Sequence, residues 1–254
     1  MSEPARFDGK AVIVTGGAGG IGRAACLGFA AEGASVLVAD MDTGEGERTA
    51  ELVRCAGGTA QFQPVDVTRD GACKAMVAAA LDHFGRLDVA FNNAGVGTSG
   101  FALADEEEST FDRMIAVNLK GVFLCMRHEI AAMLERGGGT IVNTSSVAGL
   151  VGNAGLSSYC AAKHGVTGLT RAAALDYIGR GIRINAVCPG ATRTRMLEAW
   201  FQDPEVEEHV MGLHPIGRIA DPEEVARVAL FLASPQSSFM VGCAVPVDGG
   251  VTAQ

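Results

Sequence analysis

The 254-residue sequence predicts an α/β fold, a doubly wound parallel sheet of about seven strands with helices on both faces. Short apolar runs alternate along the chain with longer segments of helical periodicity, which is typical of repeated strand–helix units with right-handed crossovers. Several strand candidates are apolar almost throughout, as strands buried on both faces of a parallel sheet are. No stretch resembles an interdomain linker, so residues 1–254 are expected to form a single domain.

The predicted strands are short aliphatic runs that end at polar or glycine-rich positions. They cover residues 11–15, 35–39, 59–63, 87–92, 139–144, 182–188 and 243–247. The predicted helices are longer stretches in which apolar residues recur with helical spacing. They cover residues 20–32, 44–56, 69–84, 107–136, 157–179 and 222–233.

The composition limits the classes of partner. The formal net charge is −9 and no stretch concentrates Lys or Arg, so neither nucleic acid nor an anionic membrane is expected as a partner. The start of the chain is polar, and no run approaches the ~20 apolar residues of a membrane-spanning helix. The seven cysteines form no CxxC pair and the five histidines show no ligand spacing, so we expect reduced thiols and no metal site. A cytoplasmic protein is expected.

A glycine-rich turn follows the first predicted strand directly. Its pattern is Gly16-x3-Gly20-x-Gly22, with Ile21 inside it, and the first helix begins there. Such glycines let the backbone approach a pyrophosphate that faces the helix N-terminus. The spacing differs from GxGxxG, and the missing Lys-Ser or Lys-Thr excludes a P-loop. Taken alone, the motif leaves open a glycine-rich turn that binds nothing, and the acid that follows the next strand strengthens the interpretation as a dinucleotide site.

The second strand ends at Asp40, 18 residues after Gly22, close to the ~20 expected for the acid that holds the adenine ribose. A carboxylate there accepts hydrogen bonds from the ribose hydroxyls and repels the 2′-phosphate of NADP, so NAD is the expected cofactor. The alternative is a carboxylate that caps a loop. Arg23 is the nearest base, and Asp42 and Arg48 also lie close along the chain.

Tyr159 and Lys163 lie four residues apart in a helical pattern, which places both side chains on one helix face. A phenol ordinarily has a pKa of ~10 and is a poor base at neutral pH, and a nearby ammonium lowers that pKa. The pair would suit a tyrosine that works as a general acid and base, but by itself the default is a surface pair, so its weight depends on the surrounding motifs.

Taken together, these features resemble the short-chain dehydrogenase/reductase family, in its single-domain branch of about 250 residues. The likeness runs from about residue 7 to residue 250 and includes further motifs in the family's order. These motifs are Asp66-Val67, Asn92-Asn93-Ala94-Gly95, Asn118, Ser145-Ser146, Pro189-Gly190 with Thr194, and Val247-Asp248-Gly249-Gly250. The resemblance implies an oxidoreductase that transfers a hydride between NAD(H) and a secondary alcohol or ketone.

The resemblance also implies a catalytic tetrad of Asn118, Ser146, Tyr159 and Lys163. Ser146 is preferred to Ser145 because the family's serine lies 13 residues before the tyrosine. Tyr159 would take the alcohol proton and Ser146 would orient the substrate oxygen. Lys163 would lower the pKa of Tyr159 and hold the nicotinamide ribose, and Asn118 would position a water that relays the proton.

The expected cofactor-binding residues come from the glycine turn, the strand ends and the family motifs. They are Gly16, Gly20, Ile21, Gly22, Asp40, Asp66, Val67, Asn93, Ala94, Tyr159, Lys163, Pro189, Gly190, Thr192 and Thr194. The resemblance further implies a homo-oligomer, expected to be a tetramer. The apolar character of helices 107–136 and 157–179 would suit helix-to-helix contacts between subunits.

Residues 193–214 are longer than an ordinary connection, and we interpret them as a lid over the substrate. The segment carries Met196, Leu197, Trp200 and Phe201, so it could cover a moderately hydrophobic alcohol or ketone. An ordinary helical insertion is the alternative, and Arg193 with Arg195 leaves room for an anionic substrate.

Two other classes of protein share part of this pattern. A methyltransferase also uses a glycine turn followed by an acid, but it has no need of the serine, tyrosine and lysine in register. A dinucleotide-binding protein without catalytic activity could keep the fold, although here the tetrad is whole.

Overall fold

The computed structural model describes residues 5–97, 100–198, 201 and 204–253, and its centre is a seven-stranded parallel sheet. The strand order is β3-β2-β1-β4-β5-β6-β7, and every neighbouring pair is parallel. The strands are β1 Ala11–Thr15, β2 Ser35–Asp40, β3 Thr59–Pro64, β4 Val89–Asn92, β5 Gly139–Thr144, β6 Ile182–Pro189 and β7 Ala244–Val247. The predicted fold class is confirmed.

Helices cover both faces of the sheet. They are α1 Gly20–Ala31, α2 Thr43–Cys55, α3 Asp70–Phe84, α4 Glu108–Met114, α5 Gly121–Glu135, α6 Ser157–Tyr177, α7 Arg195–Glu198, α8 Pro204–Gly212 and α9 Pro222–Ala233. No helix in the described part of the chain is long and apolar enough to cross a membrane.

Alternation along the strands divides the core into two layers. In β1, Ile13 packs into the layer beneath α3, α5 and α6, whereas Val12 and Val14 pack into the layer beneath α1, α2 and α9. Successive side chains of a strand point to opposite faces, so a strand buried on both sides is apolar at every position. This explains why the central strands read as unbroken apolar runs.

Three parts of the sequence-based prediction differ from the structure. The single helix predicted at 107–136 is α4 and α5 joined by a π-helical stretch, Ile115–Lys120, which adds a residue to the turn around Asn118. The strand predicted to begin at residue 87 begins at Val89, one residue after Asp88, whose side chain accepts from the backbone N–H of Ala11. The described parts of 193–214 include α7 and α8, two helices absent from the predicted set, and their role as a lid stays a prediction.

Strand order reverses at the junction of β1 and β4, so the connections that follow these strands diverge to opposite faces. In open α/β sheets the crevice beyond the carboxyl ends of the strands at this point binds ligands. The predicted site residues follow β1, β2, β4, β5 and β6, and the fold gathers them at this edge.

Candidate active site

The turn after β1 and the turn after β4 are fastened together. The hydroxyl oxygen of Thr15 accepts hydrogen bonds from the backbone N–H groups of Asn93 at 3.0 Å and Ala94 at 3.1 Å. Gly16 has φ +68°, and a Cβ there would lie 2.9 Å from the Ala94 Cα. Only glycine combines that backbone angle with so close an approach. The sequence therefore builds a narrow cradle between two strand ends.

The cradle opens on the N-terminus of α1. Among the described residues, no side chain caps that end of the helix, and its first turn contains no acidic residue. Gly20, with φ +51°, lies against Thr194, whose Cγ2 would be 2.8 Å from a Cβ at that position. A helix end without an internal partner suits a negatively charged group, because its N–H groups and dipole both favour one.

Asp40 ends β2 beside the glycine turn. Its Oδ2 accepts from the Ala18 N–H at 3.0 Å, and its Oδ1 accepts from the Asp42 N–H at 3.0 Å. The carboxylate thus caps two loops, the role that the sequence left open as an alternative. It remains half-buried at the edge of the cradle, where a ribose role is compatible with the capping.

Ser146, Tyr159 and Lys163 meet at the other end of the edge. The Ser146 hydroxyl hydrogen-bonds with the Tyr159 phenol, and it also accepts from the Ala148 N–H at 3.1 Å. Lys163 is one turn of α6 further on, with its Nζ 5.6 Å from the centre of the Tyr159 ring. The Nζ donates to the Thr144 carbonyl oxygen at 2.9 Å. A hydroxyl, a phenol and an ammonium therefore share one small polar pocket.

Burial governs the ionisation of this pocket. It raises the pKa of the Tyr159 phenol above its usual range, and the hydrogen bond with Ser146 opposes that rise. Burial also lowers the pKa of Lys163 to about 8. Desolvation is the largest influence on the pKa of the Tyr159 phenol, and the expectation that Lys163 lowers this pKa stays a prediction.

Ser145 and Ser146 have different tasks. The Ser145 hydroxyl is buried among α6 residues, where it donates to the Lys163 carbonyl oxygen at 3.0 Å and pairs with the Thr167 hydroxyl at 2.9 Å. The Ser146 hydroxyl meets the phenol instead. This arrangement supports the choice of Ser146 as the serine that contacts substrate and gives Ser145 a packing role.

Comparison with known proteins agrees with this geometry. The family described as enoyl-(acyl carrier protein) reductase matches residues 16–252. The chain belongs to the short-chain dehydrogenase/reductase family. It is 46% identical to a 2,5-dichloro-2,5-cyclohexadiene-1,4-diol dehydrogenase of Sphingobium indicum, covering 97% of this chain and 98% of the relative. It is 43% identical to a cyclohexanol dehydrogenase of an Acinetobacter species, covering 98% and 97%.

A solved structure of levodione reductase superposes with a TM-score of 0.94 at 37% identity, covering 98% of this chain and 99% of that one. Short-chain dehydrogenases use a nicotinamide cofactor. The residues at the cradle fit such a group, since the close approach at Gly16 leaves its backbone bare and the end of α1 has no side-chain cap among the described residues.

Asn118, the family's asparagine, is fully buried in the π-helical stretch. Its Oδ1 accepts from the Val96 N–H and its Nδ2 donates to the Val96 carbonyl oxygen, both at 2.9 Å. A Cβ at Gly95 would lie 2.9 Å from the Asn118 Oδ1 and 3.7 Å from the Lys163 Nζ. The carboxamide therefore holds the turn after β4 against Lys163, and the water relay expected of Asn118 stays a prediction.

The other predicted cofactor residues line the same edge. Asp66 accepts from the N–H and hydroxyl of Thr68 at 2.9 and 2.7 Å, and these bonds lower its pKa. Val67 packs against Gly121, where a Cβ would lie 2.9 Å from its Cγ2. Thr192 donates to the Gly190 carbonyl oxygen at 3.2 Å, just after Pro189 ends β6. Ile21 and Gly22 open α1.

Sequence reasoning did not foresee two side-chain contacts that shape the site. His214 accepts from the Ala191 N–H at 3.0 Å through Nε2, and its Nδ1 lies 2.8 Å from the Val210 carbonyl oxygen, so it braces the turn after β6 against α8. Arg195 lies over Gly19 in the glycine turn. Neither contact has a local signal, because each joins distant parts of the chain. Trp200 of the predicted lid lies outside the described residues.

Proposed function

We propose that the protein is an NAD-dependent dehydrogenase/reductase that interconverts a moderately hydrophobic secondary alcohol and its ketone, on the single domain formed by residues 1–254. The observation that carries this proposal is the hydrogen-bonded pair of Ser146 and Tyr159 beside buried Lys163. The pair lies at the edge of the sheet that also bears the glycine turn and Asp40.

The chemistry follows from the groups that meet there. The bound nicotinamide supplies the hydride acceptor or donor. The Tyr159 oxygen takes the proton of the alcohol in oxidation and returns it to the ketone oxygen in reduction. Ser146 holds the same substrate oxygen, and Lys163 is expected to hold the nicotinamide ribose and to favour the phenolate by its charge.

The preference for NAD rests on the charges around Asp40. A 2′-phosphate would face that carboxylate, and like charges at contact distance cost several kcal/mol. The sequence pointed to two bases in this neighbourhood. Arg23 pairs with Glu45 at 2.6 Å, whereas Arg48 is exposed and lies 3.7 Å from the same carboxylate. Arg23 is therefore engaged, and the preference depends on the charge of Asp40.

The names of the relatives support the substrate class. They are dehydrogenases of a dichlorocyclohexadiene diol, of cyclohexanol and, in Serratia marcescens, of meso-2,3-butanediol, each at 42–46% identity. In this chain Met196 of α7 packs on Gly97, where a Cβ would lie 3.0 Å from the Met196 Cγ. This contact brings an apolar side chain to the cleft. We therefore propose an alicyclic or vicinal secondary alcohol, with residues 193–214 as its cover.

A panel assay tests the proposal. Purified protein is mixed with NAD or NADP and with cyclohexanol, cyclohexane-1,2-diol, 2,3-butanediol, primary alcohols or an anionic hydroxyalkyl sulfonate, and the nicotinamide absorbance is followed in both directions. We expect turnover with NAD and the secondary alcohols. Binding of NAD without turnover on any substrate would favour a protein without catalytic activity, and reduction of enoyl thioesters alone would contradict the alcohol assignment.

We also propose a cytoplasmic homotetramer without nucleic-acid or membrane partners. Phe111 on α4, Phe123 on α5 and Leu175 on α6 are exposed apolar side chains, and such side chains are commonly covered by another subunit. Light scattering at micromolar concentration should give four times the mass of the chain, and Phe123→Asp should reduce it. A monomeric parent would refute the proposal.

A further inference from the structure

Three consecutive residues after β6 lie on three glycines of the cleft. Thr194 contacts Gly20, and Met196 contacts Gly97. Between them, Arg195 reaches across Gly19, where a Cβ would lie 3.2 Å from its Nη2. The guanidinium thus lies at the glycine turn, beside the N-terminus of α1.

The present partner of Arg195 is a weak one. Its Nη1 lies 3.5 Å from the Asp42 Oδ2, and both side chains are largely exposed. Pairs of this kind contribute little to stability and exchange readily. Arg195 also lies at the positive end of α1, where a cation is disfavoured unless an anion lies between them. By contrast, Arg193 pairs with Asp221 at 3.8 Å, away from the turn.

We propose that Arg195 is a cofactor-binding residue that contacts the diphosphate of the dinucleotide. A guanidinium binds phosphate oxygens in a bidentate, charge-assisted manner, and a diphosphate at the glycine turn is a stronger partner than one exposed carboxylate. Binding then draws Arg195 from Asp42 and holds the start of α7 on the cofactor. The inference rests on the dinucleotide site proposed above and assigns Arg195 to the cofactor instead of an anionic substrate.

Calorimetric titration with NAD, NADP and adenosine tests this on the parent and four variants. Arg195→Ala and Arg195→Gln remove the charge, and Arg193→Ala removes the same charge from the same segment. Asp42→Asn removes the present partner but keeps an oxygen that can cap α2, where Asp42 accepts from the Glu45 N–H at 3.0 Å. Adenosine carries the ribose without phosphate. A thermal melt of each variant checks folding.

Both Arg195 variants should weaken NAD binding by about tenfold, as for one charge-assisted contact at an exposed side chain. They should leave adenosine binding unchanged. Arg193→Ala should bind NAD within about twofold of the parent, and Asp42→Asn equally well or more tightly, since one competitor for the guanidinium is gone.

Four results would overturn the inference. These are unchanged NAD affinity in the Arg195 variants, an equal loss for adenosine, a loss confined to NADP, or a matching loss in Asp42→Asn. The last would mean that the ion pair, not the free guanidinium, matters. A parent that binds neither dinucleotide would overturn the proposed function as well, so the two failures are distinguishable.

Discussion

Two clusters of buried polar side chains lie against β4, β5 and α6, and only one of them has a route to a substrate. The first is Ser146, Tyr159 and Lys163 at the edge of the sheet. The second lies in the core, where the Asn92 Nδ2 donates to the Glu129 Oε2 at 2.9 Å and to the Asn143 Oδ1 at 3.1 Å. Each contains a group whose pKa burial moves to about 8, down for Lys163 and up for Glu129.

A perturbed pKa therefore does not distinguish the two clusters, although such shifts often mark functional sites. Tyr159 remains partly exposed, whereas Glu129 and Asn143 are fully buried. The two clusters therefore differ in whether a substrate can reach them. In the core, the Glu129 Oε1 and the Asn92 Oδ1 have no hydrogen-bond partner among the described residues. A proton on the Glu129 Oε1 would turn that atom into a hydrogen-bond donor, in keeping with the raised pKa of the carboxyl group.

The largest expected effect comes from the cluster of Ser146, Tyr159 and Lys163 at the edge of the sheet. Tyr159→Phe should fold and bind NAD but lose about 10²–10⁴-fold in kcat, the usual contribution of a general acid or base. Turnover with a secondary alcohol and calorimetric NAD binding check this together. Near-normal turnover would remove Tyr159 from the mechanism.

The two adjacent serines sharpen the comparison within that cluster. Ser146→Ala should lower kcat by about 10²–10³-fold, the loss typical of one donor to a developing oxyanion. Ser145→Ala is the matched control, and we expect a loss of stability from its missing contacts with α6 but a much smaller loss of kcat. The reverse order in steady-state kinetics would transfer the role to Ser145.

At the cofactor end, Asp40→Ala should reduce the preference for NAD over NADP by about a hundredfold, because the like-charge repulsion is removed. The readout is kcat/KM with each cofactor, on the parent and the variant. Loss of the carboxylate that accepts from the Ala18 N–H should also weaken the binding of NAD modestly. An unchanged ratio would leave Asp40 with the capping role alone.

The smallest effect on activity is expected in the core. Glu129→Gln keeps the shape of the side chain and an oxygen that can accept from Asn92, so kcat should stay within about twofold of the parent. The pKa of Glu129 is raised from 4.5 to about 8, so the folded protein binds the extra proton and the parent's free energy of unfolding falls as pH rises across that window. The variant should therefore gain stability over the parent from about pH 4.5 to pH 8.

Urea unfolding at several pH values measures this difference. Glu135→Gln changes an exposed carboxylate on the same helix and serves as the control, with a difference from the parent that does not grow with pH. A Glu129→Gln difference that stays constant, or that shrinks as pH rises, would mean that Glu129 is ionised in the folded protein.

Much of the fold follows from local patterns in the sequence. The apolar runs predicted each strand to within two residues at either end, because strands buried on both faces are mostly apolar. The π-helical stretch at Asn118 was not predicted, since the apolar pattern continues through it while the carboxamide turns toward Val96. Local periodicity does not report such a distant hydrogen bond.

For the site, too, local patterns could be predicted from the sequence and distant contacts could not. The pairing of Tyr159 with Lys163 could be predicted because a spacing of four residues places both on one helix face. The glycine turn could be predicted because its motif lies within seven consecutive residues. Arg195 reaches Gly19 only after the sheet has folded, and the desolvation that raises the pKa of the Tyr159 phenol depends on the whole pocket. Residue types along the chain therefore predicted which groups are present, but not their ionisation.

Transfer of deuterium from a secondary alcohol to the cofactor tests the account most directly. Cyclohexanol deuterated at the carbinol carbon is incubated with NAD and the parent, Tyr159→Phe or Glu129→Gln protein, and the reduced nicotinamide is analysed by mass spectrometry. We predict deuterium in the cofactor with the parent and with Glu129→Gln, and a loss of at least about a hundredfold in its rate with Tyr159→Phe. Transfer that survives in Tyr159→Phe but fails in Glu129→Gln would contradict the account.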